Sequence, residues 1–445
     1  MNIVIHRGTH EIGGSCIELI GQESRIIIDI GKPLIDNKGD KFDFRDYKDL
    51  SGPELVQEGV LPEVEDIYSW EENNKSIASI AGLLLSHPHQ DHYGFVNYLA
   101  EDIPIYLGEA TKKLIEITVN FTSVQGDIKN PQYIKSGQAF PCGEFTITPY
   151  LMDHSAYDAY AFLIQSEGKT ILYSGDFREH GRKSKAFYWF LYNTPEEIDA
   201  LLLEGTSFGR NADDFINEEM IKNKMIKIAR QTVEIVFIHQ SSQNIDRLVS
   251  FYKASFRANR LFVIDIYTAE ILNSLKEYAD IPHPANDYEN IRVYYPYRLK
   301  KRMKAEEQED ILNKFKGYEI TIEEIVQKSQ NIMMLIRPSM LSDLRYIDTY
   351  FNYKFETSSY VYSLWEGYLE EEYMQKMMDF IENKNIQFYQ LHTSGHASPK
   401  TLQKVVNNLN PEKIIPIHTF YPEKYKNIFD NALVKIYSDG EVINI

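Results

Sequence analysis

Three histidines and one aspartate crowd into one short segment of the chain, as His87, His89, Asp91 and His92. Their spacing, H-x-H-x-D-H, directly follows the apolar run 81–85, which predicts a fully buried strand. Pro88 biases the preceding residue towards extended backbone, where side chains two residues apart face the same way, so His87 and His89 can converge on one point. Imidazole and carboxylate groups together bind borderline cations such as zinc, and the segment therefore predicts a metal site.

Asp91 and His92 come after the bend and can reach a second point nearby. The competing interpretation is a histidine-rich surface loop, or a few core histidines with ordinary hydrogen-bond partners. The spacing at a strand end favours metal binding, because packing gives no reason to place three imidazoles and a carboxylate so close together.

Two other predicted strands are also followed by a residue of a type that commonly binds metals, a histidine or an aspartate. His154 follows the predicted strand 145–151, and Asp176 follows the predicted strand 170–173. Alone, Asp176 beside a glycine is typical of a turn or a helix cap. Together with the first cluster, these residues predict a two-metal set in which His87, His89 and His154 hold one ion, Asp91 and His92 hold the other, and Asp176 bridges them.

The first half of the chain has the pattern of a β-rich domain. Short apolar runs predict strands at 3–5, 17–20, 26–30, 145–151, 159–165, 170–173 and 200–203. The segment 166–169 predicts a hairpin turn. The polar segment 32–74, with three prolines, predicts an excursion outside the sheet. A helix is predicted from about Tyr93 to Glu101.

The pattern changes after Glu204. Helical segments near 215–229, 245–256 and 306–316 alternate with strands at 233–238, 261–264 and 332–336, which is typical of a separate α/β layer. From Phe388 the chain returns to a strand, a helix at 400–408 and strands at 414–417 and 442–445. We therefore predict a first domain part at 1–205, an inserted domain at 206–385 and a completing part at 386–445.

Composition limits the functions that are open to the protein. The 445 residues carry 47 Lys plus Arg and 65 Asp plus Glu, a formal net charge of -18, which excludes a generally basic coat for nucleic acid. Two distant cysteines, Cys16 and Cys142, give neither a disulfide framework nor a C-x-x-C metal pair, so metal ligands must be His and carboxylate. The N-terminus has no secretory pattern and no apolar run approaches a membrane span, which predicts a cytoplasmic protein without a membrane partner.

These motifs resemble those of the metallo-β-lactamase superfamily, in the branch that carries a β-CASP insert and includes ribonuclease J. Four further residues match the motifs of that branch in order: Asp29 in Ile28-Asp29-Ile30-Gly31, Glu204 in Leu203-Glu204-Gly205-Thr206, His396 in Ser394-Gly395-His396-Ala397, and His418 in Pro416-Ile417-His418-Thr419. The segment 31–94 is similar to ribonuclease J in particular, including Glu71-Glu72-Asn73.

The resemblance implies an αββα metallo-β-lactamase sandwich with an inserted α/β β-CASP domain. It implies two zinc ions per chain, with manganese as the alternative, and His418 as the residue that completes the ligands of the second ion. A histidine at that last motif is the pattern of RNA-acting members, so the resemblance favours single-stranded RNA over DNA as the substrate.

The expected chemistry is hydrolysis of a phosphodiester. Two ions can hold a hydroxide between them and stabilise charge at the phosphorus. His396 is our candidate for the general acid that protonates the departing ribose oxygen, with Glu204 accepting its other N–H. Asp29 would orient a ligand histidine, most plausibly His87. The alternative for Glu204 is a cap for the following turn.

The resemblance also implies a pocket for a 5′-phosphate. His392 and Ser394 would grip it on one side, Ser242 and Asn244 on the other, where the helix that starts near Asn244 offers backbone N–H groups. Two residues depart from the pattern, with Gln243 in place of a small serine and Asp246 in place of a histidine. The chain also ends shortly after the predicted closing strand, before the C-terminal domain of ribonuclease J, so self-association stays open.

The leading hypothesis is a metal-dependent ribonuclease of the β-CASP type that acts as a 5′–3′ exonuclease, an endonuclease or both. One alternative is a hydrolase of the same fold that acts on DNA or on a small phosphodiester or ester. The other is a non-catalytic RNA-processing scaffold, which the complete set of ligand positions disfavours.

Overall fold

The computed structural model describes residues 1–71, 78–209, 215–431 and 433–445. Its strands are β1 (Asn2–Arg7), β2 (Cys16–Ile20), β3 (Ser24–Ile28), β4 (Ser79–Leu84), β5 (Ile105–Leu107), β6 (Pro131–Tyr133), β7 (Phe140–Cys142), β8 (Phe145–Met152), β9 (Ala159–Ser166), β10 (Lys169–Tyr173), β11 (Ala200–Glu204), β12 (Val236–His239), β13 (Leu261–Asp265), β14 (Ile291–Tyr294), β15 (Ile332–Leu335), β16 (Ser359–Tyr362), β17 (Gln387–Gln390), β18 (Lys413–Ile417) and β19 (Val442–Asn444).

The helices are α1 (Gly52–Gln57), α2 (Gln90–Tyr93), α3 (Glu109–Phe121), α4 (Ser184–Asn193), α5 (Glu218–Gln231), α6 (Ile245–Arg257), α7 (Ile266–Leu275), α8 (Tyr297–Ala305), α9 (Glu309–Lys314), α10 (Ile322–Gln327), α11 (Leu341–Phe351), α12 (Glu372–Asn383) and α13 (Pro399–Leu409). Among the described residues, none of these helices is both long and apolar enough to cross a bilayer. Glu72 and Asn73 of the predicted motif lie outside the described residues.

Two compact units divide the chain: unit 1 comprises Met1–Ala212 and Gly395–Ile445, and unit 2 comprises Asp213–Ser394. Unit 1 holds two sheets, with the strand orders β19-β1-β2-β3-β4-β5-β6 and β18-β11-β10-β9-β8-β7. Their apolar inner faces meet in one core, in which Ile5 and Ile28 of the first sheet cluster with Phe162 and Leu202 of the second. Burial of such side chains is the main term that holds the two sheets together.

Helices cover the outer faces of both sheets in unit 1. Phe187 of α4 and Leu402 of α13 cluster with the outer face of the second sheet. On the first sheet, Leu55 of α1 and Ile115 of α3 belong to the corresponding outer cluster. The layer order is therefore αββα, and the predicted sandwich is confirmed.

The hairpin between β9 and β10 confirms the predicted turn. Ser166 pairs with Lys169, which leaves a two-residue loop. Both loop residues have positive φ, 53° at Glu167 and 72° at Gly168, which matches the twist of the flanking strands. Because β8 and β10 are each antiparallel to β9, they run in the same direction.

The strands of the second sheet explain why distant residues can meet. β11 is parallel to β10, and β18 is parallel to β11, so β8, β10, β11 and β18 all point the same way. Their carboxyl ends therefore lie along one edge of the sheet, and each is followed by a residue that the sequence singles out.

The predicted helix at 93–101 is wrong. The structure has the short α2 and a 3-10 turn at Val96–Tyr98. The backbone leaves the helical path because Phe95 N donates to Ile30 O and Ala100 N donates to Ile67 O, at 3.0 Å and 2.9 Å. Pairing with neighbouring loops thus overrides the local helical pattern.

Unit 2 is an α/β domain built on one parallel sheet of order β14-β13-β15-β12-β16-β17. Its last strand, β17, pairs with β16, so the chain returns to unit 1 only after Ser394, later than the predicted boundary at 385/386. The first boundary also falls later, at 212/213 rather than 205/206. The sequence predicts a strand near Phe388 but not which strand it pairs with, because strand pairing depends on contacts between distant parts of the chain.

Candidate metal centre

Five strand ends supply the side chains of one buried cluster in unit 1. β4 leads into the loop with His87 and His89, β8 into His154, and β10 into Asp176. β11 ends at Glu204, and His418 directly follows β18. The backbone amide of Tyr160 donates to Ser86 O at 3.0 Å, which ties the histidine loop to the second sheet.

The first group of close ring nitrogens consists of His87, His89 and His154. His87 Nε2 lies 3.1 Å from His89 Nδ1, and His154 Nε2 lies 3.2 Å from the same atom. One nitrogen from each ring lies within 4.8 Å of the others. His89 is the N-cap residue of α2, with extended backbone (φ −89°, ψ 142°).

The second group consists of Asp91, His92 and His418, which also offer ligand atoms within 4.8 Å of one another. His418 Nε2 lies 3.3 Å from Asp91 Oδ2. Asp176 lies between the two groups, because its Oδ2 is 3.8 Å from His87 Nε2 and 3.4 Å from His92 Nε2. The structure thus brings the seven predicted ligands together.

Burial and charge set opposite protonation tendencies in the two groups. Burial, with the neighbouring imidazoles, lowers the pKa of His87 and His154 well below the ordinary value and lowers that of His89 as well. Neutral imidazole is the form that binds a metal. The first group therefore has its ring nitrogens in the state that a cation requires.

Carboxylates dominate the second group. Burial opposes the charged form of His92, but Asp176, Asp29 and Asp91 outweigh it and raise its pKa well above the ordinary value. Burial likewise opposes ionisation of Asp176, yet His418 and His92 hold its pKa well below the usual range. Here the positive charge of protonated imidazoles offsets the negative charge of the buried carboxylates. Bound divalent cations would offset the same negative charge in place of those protons.

A carboxylate behind the cluster orients one of the histidines. Asp29, with φ 58°, accepts from His92 Nδ1 at 2.7 Å and from Tyr173 OH at 2.7 Å. The prediction that Asp29 orients His87 is wrong. Ile30 N donates to His92 O at 2.8 Å, which holds α2 over Asp29, while the Ser86 hydroxyl lies between Asp29 and His87 Nδ1.

Two further contacts behind the cluster were missed in the sequence. His154 Nδ1 donates to Gly395 O at 2.8 Å, and Thr206 Oγ1 lies 2.8 Å from His418 Nδ1. Each contact directs the opposite ring nitrogen towards the cluster. A backbone carbonyl leaves no signal in the sequence, whereas Thr206 stands only two residues after the predicted Glu204.

His396 lies at the rim of the cluster, with its Nδ1 3.4 Å from Glu204 Oε2 and 3.6 Å from Asp176 Oδ2. Its side chain is 18% exposed, whereas that of Glu204 is 1% exposed. Glu204 also accepts from the backbone amides of Thr206 and Ala397, at 3.1 Å and 3.2 Å. Both predicted roles of Glu204 therefore have contacts in the structure.

The donor set fits divalent cations. His92 Nε2 is buried, lies 3.4 Å from Asp176 Oδ2 and belongs to two of the ligand groups. Imidazole and carboxylate groups that are buried this close together are costly unless protons or a metal ion satisfy them. With imidazole and carboxylate only, the ligands suit zinc or manganese rather than a thiolate-bound ion.

The predicted phosphate-binding residues all lie in unit 2. Asn244 is the N-cap of α6 and accepts from Arg247 N at 3.1 Å. The guanidinium of Arg247 donates towards the carbonyls of Leu391 and Thr393, beside His392 and Ser394. Arg247 thus links the two predicted walls of the pocket.

Ser242 is already bound within the domain. Its hydroxyl lies 2.7 Å from Thr268 Oγ1 and accepts from Arg337 Nη2 at 2.7 Å. Arg337 also pairs with Asp265 at 2.6 Å and was missed in the sequence, although it closely follows a strand of the parallel sheet. The basic run 298–304 forms most of α8, where Lys300 pairs with Glu319 and Arg302 with Glu306, as in a solvated helix face.

Comparison with protein families gives two matches. Residues 61–235 match the β-lactamase superfamily domain, and residues 383–426 match the Zn-dependent metallo-hydrolase RNA specificity domain. The first match covers unit 1 from residue 61 and runs into unit 2, and the second covers the end of unit 2 and the start of the returning part of unit 1. Together they include the loops that carry His87, His154, Asp176, His396 and His418.

Several relatives are named ribonuclease J. The protein of Mycoplasma genitalium is 21% identical over 98% of this chain and 72% of its own length. That of Helicobacter pylori strain 26695 is 22% identical over 93% of this chain and 55% of its own length. That of Sinorhizobium meliloti is 23% identical over an aligned region that covers 55% of this chain and 42% of the relative's own length.

A solved structure shares the fold along the whole chain. It is a protein of unknown function from Enterococcus faecalis V583, with a TM-score of 0.77, 21% identity and 99% coverage of both chains. At this level of identity the likeness concerns the fold alone.

Proposed function

Because the chain belongs to the β-CASP branch of the metallo-β-lactamase superfamily and is similar to ribonuclease J, we propose that it is a metal-dependent ribonuclease. Its substrate would be single-stranded RNA, and the bond hydrolysed a backbone phosphodiester. The observation that carries the proposal is the convergence of seven His and Asp side chains, which fall in four overlapping groups of close ligand atoms, one of which also includes Glu204 and His396.

The ligand set suggests two cations per chain, zinc or alternatively manganese. His87, His89 and His154 would hold one ion, Asp91, His92 and His418 the other, and Asp176 both. When bound, the ions would lower the pKa of a water molecule and offset negative charge on the reacting phosphate. Asp29, through its bond to His92 Nδ1, fixes which nitrogen of that ring faces the site.

His396 is the proposed general acid. Its Nδ1 faces the carboxylates of Glu204 and Asp176, so we assign its Nε2 to the departing ribose oxygen. Glu204 would stabilise the protonated imidazole and orient the ring. Its bonds to two backbone amides hold it in place during proton transfer.

A 5′-phosphate would be bound in unit 2 by His392, Ser394, Ser242 and Asn244. Arg337 adds a positive charge next to Ser242. This pocket supports processive 5′–3′ removal of nucleotides, while internal cleavage would not require it.

The test compares three RNAs of one sequence: 5′-monophosphorylated, 5′-triphosphorylated and circular. Zinc- or manganese-loaded protein should degrade the monophosphorylated RNA to products with 5′-phosphates, and cleavage of the circle would report endonuclease action. His396→Ala should lower kcat by about 10²- to 10⁴-fold without loss of bound metal. The matched control, His283→Ala in unit 2, should keep full activity. Intact RNA with all three substrates, or hydrolysis of DNA in preference to RNA, would contradict the proposal.

A further inference from the structure

A pocket in the surface of unit 1 lies beside the candidate metal centre but contains none of its ligands. Its volume is about 290 Å³. Three parts of unit 1 form its walls: the loop after β1, the polar segment between β3 and β4, and Phe420 after β18. The polar segment is the predicted excursion outside the sheet, and residues within 33–60 line the pocket.

The pocket and the metal cluster share two loops. His418 N donates to Gly8 O at 2.7 Å, and Ser15 N donates to Asp91 O at 3.2 Å, so the loop after β1 is fixed to both ligand-bearing segments. Phe420 stands two residues after His418. A molecule in the pocket would therefore lie next to the side of the cluster that Asp91 and His418 form.

Aromatic rings supply the apolar part of the walls. Phe42 and Tyr47 stack on each other with ring centroids 5.5 Å apart and planes 14° apart. Phe420 is 39% exposed although it is a large apolar side chain. Flat apolar faces at a nucleic-acid site are surfaces on which an unpaired base stacks.

The polar part of the walls does not suit a phosphate. The Arg7 guanidinium donates to the carbonyls of Gly59 and Val60 and lies 3.7 Å from Glu11, so its charge is already compensated. Asp36 and Glu58 add two further carboxylates to the lining. An anion would be repelled here, whereas an uncharged group with a hydrogen-bonding edge would fit.

We propose that this pocket binds one unpaired nucleobase of the RNA strand, next to the phosphate that is cut. The aromatic faces of Tyr47 and Phe420 receive the plane of the base, and Glu11 contacts its edge. Burial raises the pKa of Glu11 to about 7, so near neutral pH its carboxyl can donate as well as accept, as base edges require. The inference rests on the proposed ribonuclease function.

The experiment measures RNA affinity at each nucleotide position. Full-length protein with His396→Ala, loaded with zinc, binds 5′-labelled single-stranded RNAs that each carry one abasic residue, and fluorescence anisotropy gives the Kd. We expect one position, or two adjacent ones, at which loss of the base weakens binding roughly five- to a hundredfold. In the same background, Phe420→Ala should weaken binding of intact RNA to a similar extent and abolish the effect of that abasic position.

Two further variants, Tyr47→Leu and Tyr192→Ala, separate the result from effects on folding. Tyr47→Leu retains an apolar side chain of intermediate size and should show the same loss of sensitivity with an unchanged Tm. Tyr192→Ala removes an aromatic side chain that is 89% exposed on α4, outside the pocket, and should keep the wild-type profile. Glu11→Gln should change which base is preferred at the sensitive position.

The outcomes separate this inference from the function on which it rests. If wild-type protein cleaves RNA but the abasic profile of Phe420→Ala and Tyr47→Leu equals that of the background, the pocket binds no base and only this inference fails. If the protein neither binds nor cleaves RNA, both fail. A uniform loss of affinity at every abasic position would also overturn the inference.

Discussion

The two units differ in the partners of their polar side chains. In unit 1, ring nitrogens and carboxylate oxygens approach one another within 4.8 Å at strand ends, and His92 Nε2 lies buried 3.4 Å from Asp176 Oδ2. In unit 2, Ser242, Asn244 and Arg337 already form hydrogen bonds and an ion pair within the domain. The carboxylates of the unit 1 cluster need positive charge to compensate them. The side chains of unit 2 already have partners within the domain, and a bound ligand could replace those partners.

The strongest test of this difference is Asp176→Asn. Because Asp176 lies between both ligand groups, we expect the loss of at least one bound ion per chain and a fall in kcat/KM of more than about 10³-fold. Metal analysis and steady-state kinetics on RNA measure the two effects. Asp199→Asn, whose side chain pairs with Lys169 away from the cluster, is the control. Full metal content in Asp176→Asn would contradict the bridging role.

Removal of metal should distinguish the units in stability. Cations that bind only the folded state stabilise it, by about 4 kcal/mol when their concentration is a thousand times Kd. A chelator should therefore increase hydrogen exchange in the loops at 86–93 and 153–154 of unit 1, with little change in β12 of unit 2. Equal increases in both units would mean that the cluster binds no stabilising ion.

Substitution in the proposed phosphate pocket should give a smaller and more selective effect. Ser242→Ala removes a hydroxyl that contacts Arg337, so we expect about a tenfold loss of preference for 5′-monophosphorylated over 5′-hydroxyl RNA. Cleavage of a circular RNA should not change. Ser342→Ala, a serine of α11 outside the predicted pocket, should leave both rates as they are. A parallel loss on the circle would indicate damage to the fold.

The last expected effect concerns stability rather than activity, and it is a pH dependence that arises in unit 2. Burial, and secondarily the charge of Arg337, lowers the pKa of His239 to about 3. Above about pH 6.5 this histidine is neutral in both states, so its contribution to stability is complete. Between about pH 6.5 and 3 only the unfolded state gains the proton, and the free energy of unfolding falls by up to about 1.4 kcal/mol per pH unit. Urea unfolding of His239→Asn should show a shallower pH dependence, while the exposed His10→Asn should match wild type.

The sequence predicted the αββα layers and the residues of the metal cluster because both depend on strand ends. Each ligand follows an apolar run, and parallel strands carry such ends to one edge. The motifs then supplied His396 and His418, which local patterns alone would not have joined to His87.

Other features depend on contacts that no local pattern encodes. Asp29 faces His92 because Ile30 pairs with the backbone of α2, and residues 93–101 leave the helical path because their amides bind neighbouring loops. The pairing of β17 with β16 moved the second boundary to 394/395. The position of Arg337 could not be predicted, because a single arginine forms no motif in the sequence and its contact with Ser242 exists only in the folded chain.

The discontinuity of unit 1 has a consequence for the newly made protein. Four of the five strand ends come before unit 2 in the chain, but His396 and His418 come after it. A ribosome that has translated as far as residue 394 has made every other ligand without the proposed acid or the last imidazole. A product truncated before β18, or a chain still in synthesis, would therefore lack the proposed nuclease activity.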